Sequence, residues 1–174
     1  MHSLVLNLAE LSAGLLVARL ALGLLMAAHG SQKLFGWFGG HGIAGTGAYL
    51  ETLGYFPGRT FATIASTTEV ISGLLIALGF LGPIGPALMV SVMIVAAVTV
   101  HLPNGLFATK GGIELPLIYA LGAVALALTG FGAFSVDAAL GLQGIWTPAL
   151  SLGVLAIGIL GGVGNLLVRR PRTA

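Results

Sequence analysis

The chain contains 174 residues, of which 57% are hydrophobic and only 7% are charged, and its formal net charge is +2. A soluble globular domain has about 25% charged residues, so this composition excludes a protein wetted on all sides and predicts one embedded in lipid. Cysteine is absent, which excludes disulfides, thiolate metal sites and Cys-ligated iron–sulfur clusters within this chain.

Five apolar stretches are long enough to cross a membrane as helices of roughly 20 residues each. In chain order they cover about 11–29 with an extension to 35, 60–81, 84–102, 113–131 and 146–168. Uninterrupted runs of this length are too long for the strands of a membrane barrel, and lipid otherwise accepts only helices. The sequence therefore predicts an all-α polytopic membrane helix bundle, a single membrane domain over residues 1–174.

The connections between the spans differ in character. Residues 28–53 combine histidines, aromatic residues, a glutamine and a lysine with many glycines, and residues 44–53 within them predict a short interfacial helix. Trp37 and Tyr55 suit an aromatic belt at the headgroups, and contact with a ligand is the less favoured alternative. The second and third spans are joined by a very tight turn, so we expect antiparallel neighbours, whereas residues 132–147 predict an interfacial loop.

The distribution of basic residues predicts the orientation. If the N-terminus lies outside, the inner segments carry six of the seven basic residues and the outer segments carry none. These six are Lys33, Arg59, Lys110, Arg169, Arg170 and Arg172. Cytoplasmic loops are enriched in Lys and Arg, so we predict a multi-pass protein of the plasma membrane with an outer N-terminus and a cytoplasmic C-terminus. A topology signal also explains the basic residues better than a nucleic-acid surface does.

Two charged residues lie inside predicted spans, Arg19 in the first and Glu69 in the second. At 1.5 Å per residue, Arg19 lies roughly 20 Å and Glu69 roughly 15 Å from the inner ends of their helices, which predicts an ion pair near the midplane. A charge left alone there costs at least about 2.5 to 3.5 kcal/mol. The pair either locks helix packing or belongs to a ligand or proton pathway. If Arg19 extends to the outer interface instead, the pair does not form.

Polar residues from three predicted helices converge at the inner face. They are His29, Gln32 and Lys33 at the end of the first span, His101 at the end of the third and Glu114 at the start of the fourth. The carbonyls of a quinone headgroup need such hydrogen-bond donors while its tail lies in lipid. We therefore predict a cofactor pocket here, roofed by Trp37, Phe38 and Phe107.

Haem and metal are the alternatives at the same face. His29 and His101 could ligate a b-type haem, or with Glu114 a metal ion. Neither histidine belongs to a paired ligand motif, so the pattern favours a hydrogen-bonded network over haem, and we predict no metal site.

Five segments of the chain match motifs of a known family in the same order. They are RLALGLLMAAHGSQKLFGWFGGHG (19–42), GYFPGR (54–59), TEVISGLLIALGFL (68–81), HLPNGLFATKGGIELPLIYALGAVALALTG (101–130) and FSVDAAL (134–140). Together they resemble the DoxX family of small bacterial integral membrane proteins. The resemblance covers about residues 11–140 and implies a four-helix membrane core, to which the fifth span over residues 146–168 is an addition.

The resemblance implies quinone-linked redox work, because the family shares its name with a subunit of a thiosulfate:quinone oxidoreductase. This chain would be a quinone-associated subunit or membrane anchor of a system for sulfur oxidation or for thiol or oxidative stress. Without cysteine it would rely on a soluble oxidoreductase partner to handle sulfur. The alternatives are a non-catalytic scaffold for a soluble enzyme and a small transporter or channel that uses Arg19 and Glu69.

The family pattern carries over to a set of charged, polar and glycine positions. They are Arg19, His29, Gly30, Lys33, Gly36, Glu69, Gly73, His101, Asn104, Gly105, Gly111, Gly112, Glu114 and Asp137. Small-residue spacings in the fifth span, such as Gly158 with Gly161, are compatible with a homo-oligomer.

Overall fold

The computed structural model describes the backbone of residues 2–170 and the side chains of residues 7–170, so Arg172 of the predicted basic cluster lies outside the described residues. This part of the chain is built from α-helices and short 3-10 and π-helical turns, without a strand. The α-helices are α1 (His2–Phe35), α2 (Gly42–Thr52), α3 (Gly58–Leu78), α4 (Ile84–Ala96), α5 (Glu114–Thr129), α6 (Val136–Ala139) and α7 (Pro148–Leu167). The predicted all-α fold is confirmed.

Four helical segments have the length and hydropathy of membrane spans. They are Asn7–Phe35, Gly58–Leu78, Ile84–Asn104 and Pro148–Leu167. The third extends α4 through a π-helical turn (Ala97–His101) and a 3-10 turn (Leu102–Asn104). Large apolar side chains such as Val17, Leu74 and Leu160 are exposed on these helices, where lipid would cover them. The chain is a multi-pass membrane protein.

Helix α5 is shorter than the predicted span over residues 113–131. It has 16 residues, which corresponds to about 24 Å. It nevertheless joins the two ends of the bundle. Before α5, Nδ1 of His101 lies 2.7 Å from the Gly111 carbonyl oxygen. After α5, the Asp137 amide donates to the Gly79 carbonyl at 3.0 Å.

The helices α1, α3, α4 and α5 form a closed bundle in which each packs on two others, and α7 packs on α4 and α5 from outside. The buried core between them is almost entirely aliphatic, with Tyr119 and Phe131 as its aromatic members. Its largest fully buried residues include Met26, Ile76 and Met89. This arrangement agrees with a four-helix core that carries one additional membrane helix.

Glycines bring α1 and α3 into close contact. A Cβ atom at Gly23 would lie 2.5 Å from the Gly73 carbonyl oxygen, and one at Gly73 would lie 2.5 Å from the Ala27 nitrogen. Gly30 meets α3 in the same way at Ser66 and Val70. Small residues allow such close approach in lipid, where no hydrophobic force drives helices together. The contact fixes the antiparallel register of the two helices.

This register defines two polar levels along α1. We call them the Lys33 end and the Arg19 end after the α1 residues that mark them. Lys33 and Arg19 are 14 residues apart, a separation of about 21 Å along the helix. The apolar core and the glycine contact lie between the two levels.

Candidate functional site

An ion pair between Lys33 and Glu69 occupies the Lys33 end. Nζ of Lys33 lies 2.5 Å from Oε1 of Glu69, and the two side chains are 39% and 3% exposed. An unpaired carboxylate within a membrane bundle is costly, and Lys33 on the neighbouring helix removes that cost. The pair thus connects a buried acid with a base that reaches the protein surface.

The predicted pair between Arg19 and Glu69 is wrong. Arg19 is buried, and its guanidinium donates to the carbonyl oxygens of Ala77 and Phe134 at the opposite end of the bundle. The last carbonyls of a helix carry partial negative charge and attract cations, and Ala77 lies in the last turn of α3. Depths that differ by only about 5 Å on two separate helices suggested a pair, but the register of α1 and α3 places Lys33 opposite Glu69.

Asp137 completes the network at the Arg19 end. Its carboxylate accepts hydrogen bonds from the backbone amides of Leu81 at 2.9 Å and Gly82 at 2.7 Å, and its side chain is buried. Arg19 and Asp137 therefore bind the two sides of the turn between α3 and α4, one at carbonyls and the other at amides. We interpret this end as structural.

A groove of about 330 Å³ lies at the Lys33 end, between α2, α3, α4 and α7. Its lining is mostly aliphatic and aromatic, with Ile64, Leu88 and Val92 among its apolar members. The Lys33–Glu69 pair forms part of the wall. This volume is near the lower limit of ligand pockets, which measure roughly 300 to 1,000 Å³.

Two residues that line this groove each have a buried polar atom without a hydrogen-bond partner within the described chain. These atoms are Oε2 of Glu69 and the hydroxyl of Tyr55, in residues that are 2% and 1% exposed as a whole. A buried polar atom without a partner costs about 1 to 3 kcal/mol, and native structures pair nearly all of them. The groove therefore offers two polar positions that a bound ligand could satisfy.

The electrostatics around Tyr55 keep its hydroxyl a donor. Burial raises the pKa of this phenol, and the positive charge of Arg169 opposes the shift. The phenol consequently stays protonated at neutral pH, and its O–H is available to an acceptor on a ligand. The aromatic-belt prediction is wrong for Tyr55, because its ring is buried against Phe61, with ring centroids 5.1 Å apart.

A smaller cavity of about 120 Å³, which we call the chamber, lies between α1, α4 and α5. It shares Lys33, Glu69 and His101 with the groove. His29 lines the chamber and meets Tyr119 edge to face, with ring centroids 6.1 Å apart and an interplanar angle of 81°. The ion pair and His101 thus form a wall between two cavities.

His101 is positioned by the π-helical turn that ends α4. Such turns add one residue to a helical turn and often occur at functional sites. Nδ1 of His101 lies 2.7 Å from the Gly111 carbonyl oxygen, which can only accept, so Nδ1 carries the proton. In the neutral ring Nε2 is then an acceptor. Thr99 in the same turn is buried and lines the groove.

Gln32 and Glu114 do not line either cavity. Nε2 of Gln32 donates to the Phe38 carbonyl at 3.2 Å, and Oε2 of Glu114 accepts from the Ala108 amide at 2.7 Å. Each of these hydrogen bonds stabilises a neighbouring loop. The predicted aromatic roof is wrong, because the side chains of Trp37, Phe38 and Phe107 are exposed and line neither cavity.

The remaining glycine and asparagine positions of the family pattern determine the conformation of the backbone. Gly36, Gly105 and Gly111 have positive φ angles of 76°, 83° and 76°, which favour glycine. A Cβ at Gly112 would lie 2.4 Å from the Gly105 carbonyl oxygen. Nδ2 of Asn104 donates to the carbonyls of Val100 and Gly111. Asn104, Gly105, Gly111 and Gly112 fold the loop that holds His101, whereas Gly36 belongs to the turn after α1.

The sequence did not identify Tyr55, Thr99 or Tyr119 as site residues. Tyr119 had a usable signal, since it is a lone phenol inside an apolar helix, five residues after Glu114. Tyr55 had only a weak signal, an aromatic residue near the membrane interface, which favoured the aromatic belt over ligand contact. Among residues 7–170, no group of three or more His, Asp or Glu is arranged to hold a metal ion.

Comparison with known proteins gives one match. The family model described as DoxX matches residues 14–102, just over half of the 174 residues. The match covers α1 from residue 14 to the end of α4 and its π-helical turn, and α5 to α7 lie outside it. No curated protein matches the chain significantly, and neither does any solved structure.

Proposed function

The chain belongs to the DoxX family, and we propose that its groove binds the headgroup of a quinone or quinone-like lipid as part of a membrane redox system. The observation that carries this proposal is the pair of unpartnered buried atoms, Glu69 Oε2 and the Tyr55 hydroxyl, in one mostly apolar groove. A quinone carbonyl accepts from a phenol or an ammonium group, and its ring fits an apolar wall.

The groove contains both hydrogen-bond donors and hydrogen-bond acceptors, so it can bind both redox forms of such a ligand. The Tyr55 hydroxyl and Nζ of Lys33 can donate to quinone carbonyls. Oε2 of Glu69 and Nε2 of His101 can accept from the hydroxyls of a quinol. We therefore assign binding to Tyr55, Lys33, Glu69 and His101. His29, which lies in the chamber, has no direct contact with the ligand in this assignment.

The redox partner would act from outside the bundle. We infer that this chain holds the quinone and that a soluble oxidoreductase at the Lys33 end exchanges electrons with it. The channel alternative has less support, because Arg19 and Glu69 belong to separate networks about 21 Å apart. Close packing at Gly23 and Gly73 lies between those networks.

The basic residues at the Lys33 end also predict how the protein is oriented in the membrane. We propose that the Lys33 end faces the cytoplasm, because Lys33 and Arg59 lie in the terminal turns of α1 and α3 at this end and Lys110 lies in a connection there. A cysteine replacing exposed Thr109 should react with an impermeant maleimide only after the cells are opened, whereas one replacing exposed Gly144 should react in intact cells. The reverse pattern would reject the orientation.

The decisive variant for binding is Tyr55→Phe. The Tyr55 hydroxyl has no partner in the described chain, so its removal should leave thermal stability unchanged or slightly higher. Affinity of the purified protein for decylubiquinone should fall roughly five- to tenfold, the value of one hydrogen bond. Equilibrium binding in lipid nanodiscs measures the affinity.

Two further variants are compared with Tyr55→Phe in their affinity for decylubiquinone. Lys33→Met should weaken binding at least as much, while Gln32→Ala should leave it unchanged, because Gln32 contacts only the Phe38 carbonyl. Unchanged affinity in both Tyr55→Phe and Lys33→Met would reject the site. Absence of saturable binding to the wild-type protein would reject the function.

A further inference from the structure

The helix α7 contributes to the groove although it lies outside the four-helix core. Asn165 of α7 lines the groove opposite residues of α3 and α4. We propose that α7 is the lipid-side wall of the groove and favours headgroups that carry a lipid tail, which leaves into the bilayer between α3 and α7. This inference rests on the proposed binding of a quinone-like headgroup.

Glycines seat α7 directly on α4. A Cβ at Gly158 would lie 2.4 Å from the Ala87 carbonyl oxygen, and one at Gly162 would lie 2.8 Å from the Ser91 carbonyl oxygen. Ser91 itself lines the groove. The distance between α7 and α4 is therefore set by backbone contact next to the groove, and a larger side chain at Gly158 would force α7 away.

The end of α7 is attached to the loop that carries Tyr55. Nε of Arg169 donates to the Leu53 carbonyl at 2.6 Å, and the Arg170 amide donates to the Gly54 carbonyl at 2.8 Å. These bonds close the groove at the Lys33 end, next to the Tyr55 hydroxyl. A headgroup in the groove is consequently enclosed by α7 and this loop.

The groove stays open on the side of the membrane. α7 packs on α4 and α5 and makes no extensive contact with α3. Ile64 of α3 and Tyr49 of α2, which line the groove, are 54% and 50% exposed. A space of about 330 Å³ accommodates a headgroup and the first part of a chain, so the rest of a long tail must extend through this opening into lipid.

The test compares two quinones that share one headgroup. Ubiquinone-0 has no tail and decylubiquinone has a ten-carbon chain. Wild-type protein should bind decylubiquinone about tenfold or more tightly than ubiquinone-0 at constant lipid, the gain expected from burying roughly two methylene groups. Gly158→Leu should abolish this preference, measured as the ratio of the two affinities, because a displaced α7 no longer lies beside the tail.

The matched control is Gly153→Leu on the same helix, where an added Cβ has no atom within 4 Å, and it should bind both quinones like the wild type. Equal affinity of the wild type for both quinones, or an unchanged preference in Gly158→Leu, would overturn the role of α7 while leaving headgroup binding intact. Absence of binding of either quinone would reject the proposed function and this inference together.

A second measurement covers the case in which Gly158→Leu does not fold. The chain has no cysteine, so a cysteine replacing Ile64 at the opening can be labelled by a lipid-soluble maleimide. Decylubiquinone should slow this labelling severalfold and ubiquinone-0 should not. A cysteine replacing Leu74, which is exposed on α3 but does not line the groove, should be unaffected. Equal protection by both quinones, or none, would contradict a tail at the opening.

Discussion

Arg19 and Lys33 show how a membrane bundle accommodates charge in two ways. Arg19 is neutralised by backbone carbonyls at the end of α3 and by the Phe134 carbonyl, whereas Lys33 pairs with a carboxylate. The need of each charge for a partner was predictable from its depth in an apolar helix. The identity of the partners was not, because it depends on the register of α1 against α3 and on a loop more than 100 residues away.

Replacing Arg19 by Met should destabilise the protein without changing ligand affinity. The change removes two charge-assisted hydrogen bonds and leaves the carbonyls of Ala77 and Phe134 unpaired, which together should lower the free energy of unfolding by roughly 2 to 4 kcal/mol. Thermal unfolding in detergent, combined with quinone binding below the transition, measures both effects. Wild-type stability would show that the Arg19 network is not structural, and lost affinity in a folded variant would place Arg19 in the site.

At the scale of helices, the length of an apolar stretch predicted that a helix exists more accurately than it predicted where that helix ends or which helices it contacts. The spans over 60–81 and 146–168 correspond to α3 (Gly58–Leu78) and α7 (Pro148–Leu167), and the interfacial helix over 44–53 corresponds to α2 (Gly42–Thr52). The π-helical turn after α4 had no sequence signal, because apolar residues continue through it. That turn positions His101 and Thr99, so part of the site could not be derived from hydropathy.

The glycine contact between α1 and α3 gives a test at this scale. Gly73→Leu should lower the free energy of unfolding by about 3 kcal/mol or prevent folding, because its Cβ would lie 2.5 Å from the backbone of α1. Gly14→Leu is the control, since an added Cβ there has no atom within 4 Å. Thermal unfolding of both variants in the same detergent measures the difference. Similar stabilities would contradict the close packing that sets Lys33 opposite Glu69.

For the whole molecule, the site lies where the four-helix core meets elements outside it. The core supplies Lys33, Glu69 and His101, all of which the sequence singled out at one membrane end or within a span. The loop after α2 supplies Tyr55, and α7 supplies Asn165. Hydropathy alone could not show that α7 covers this groove, because an apolar helix carries little information about which neighbour it contacts.

Photolabelling with an azidoquinone tests the location of this site most directly. The full-length protein in nanodiscs would be labelled, digested and mapped by mass spectrometry, with decylubiquinone as competitor. We predict competed label on residues 61–69 of α3 and on residues 92–101 of α4 and its π-helical turn, since both ranges contain residues that line the groove. Label confined to residues 35–38 and 105–114, which line neither cavity, would contradict the account.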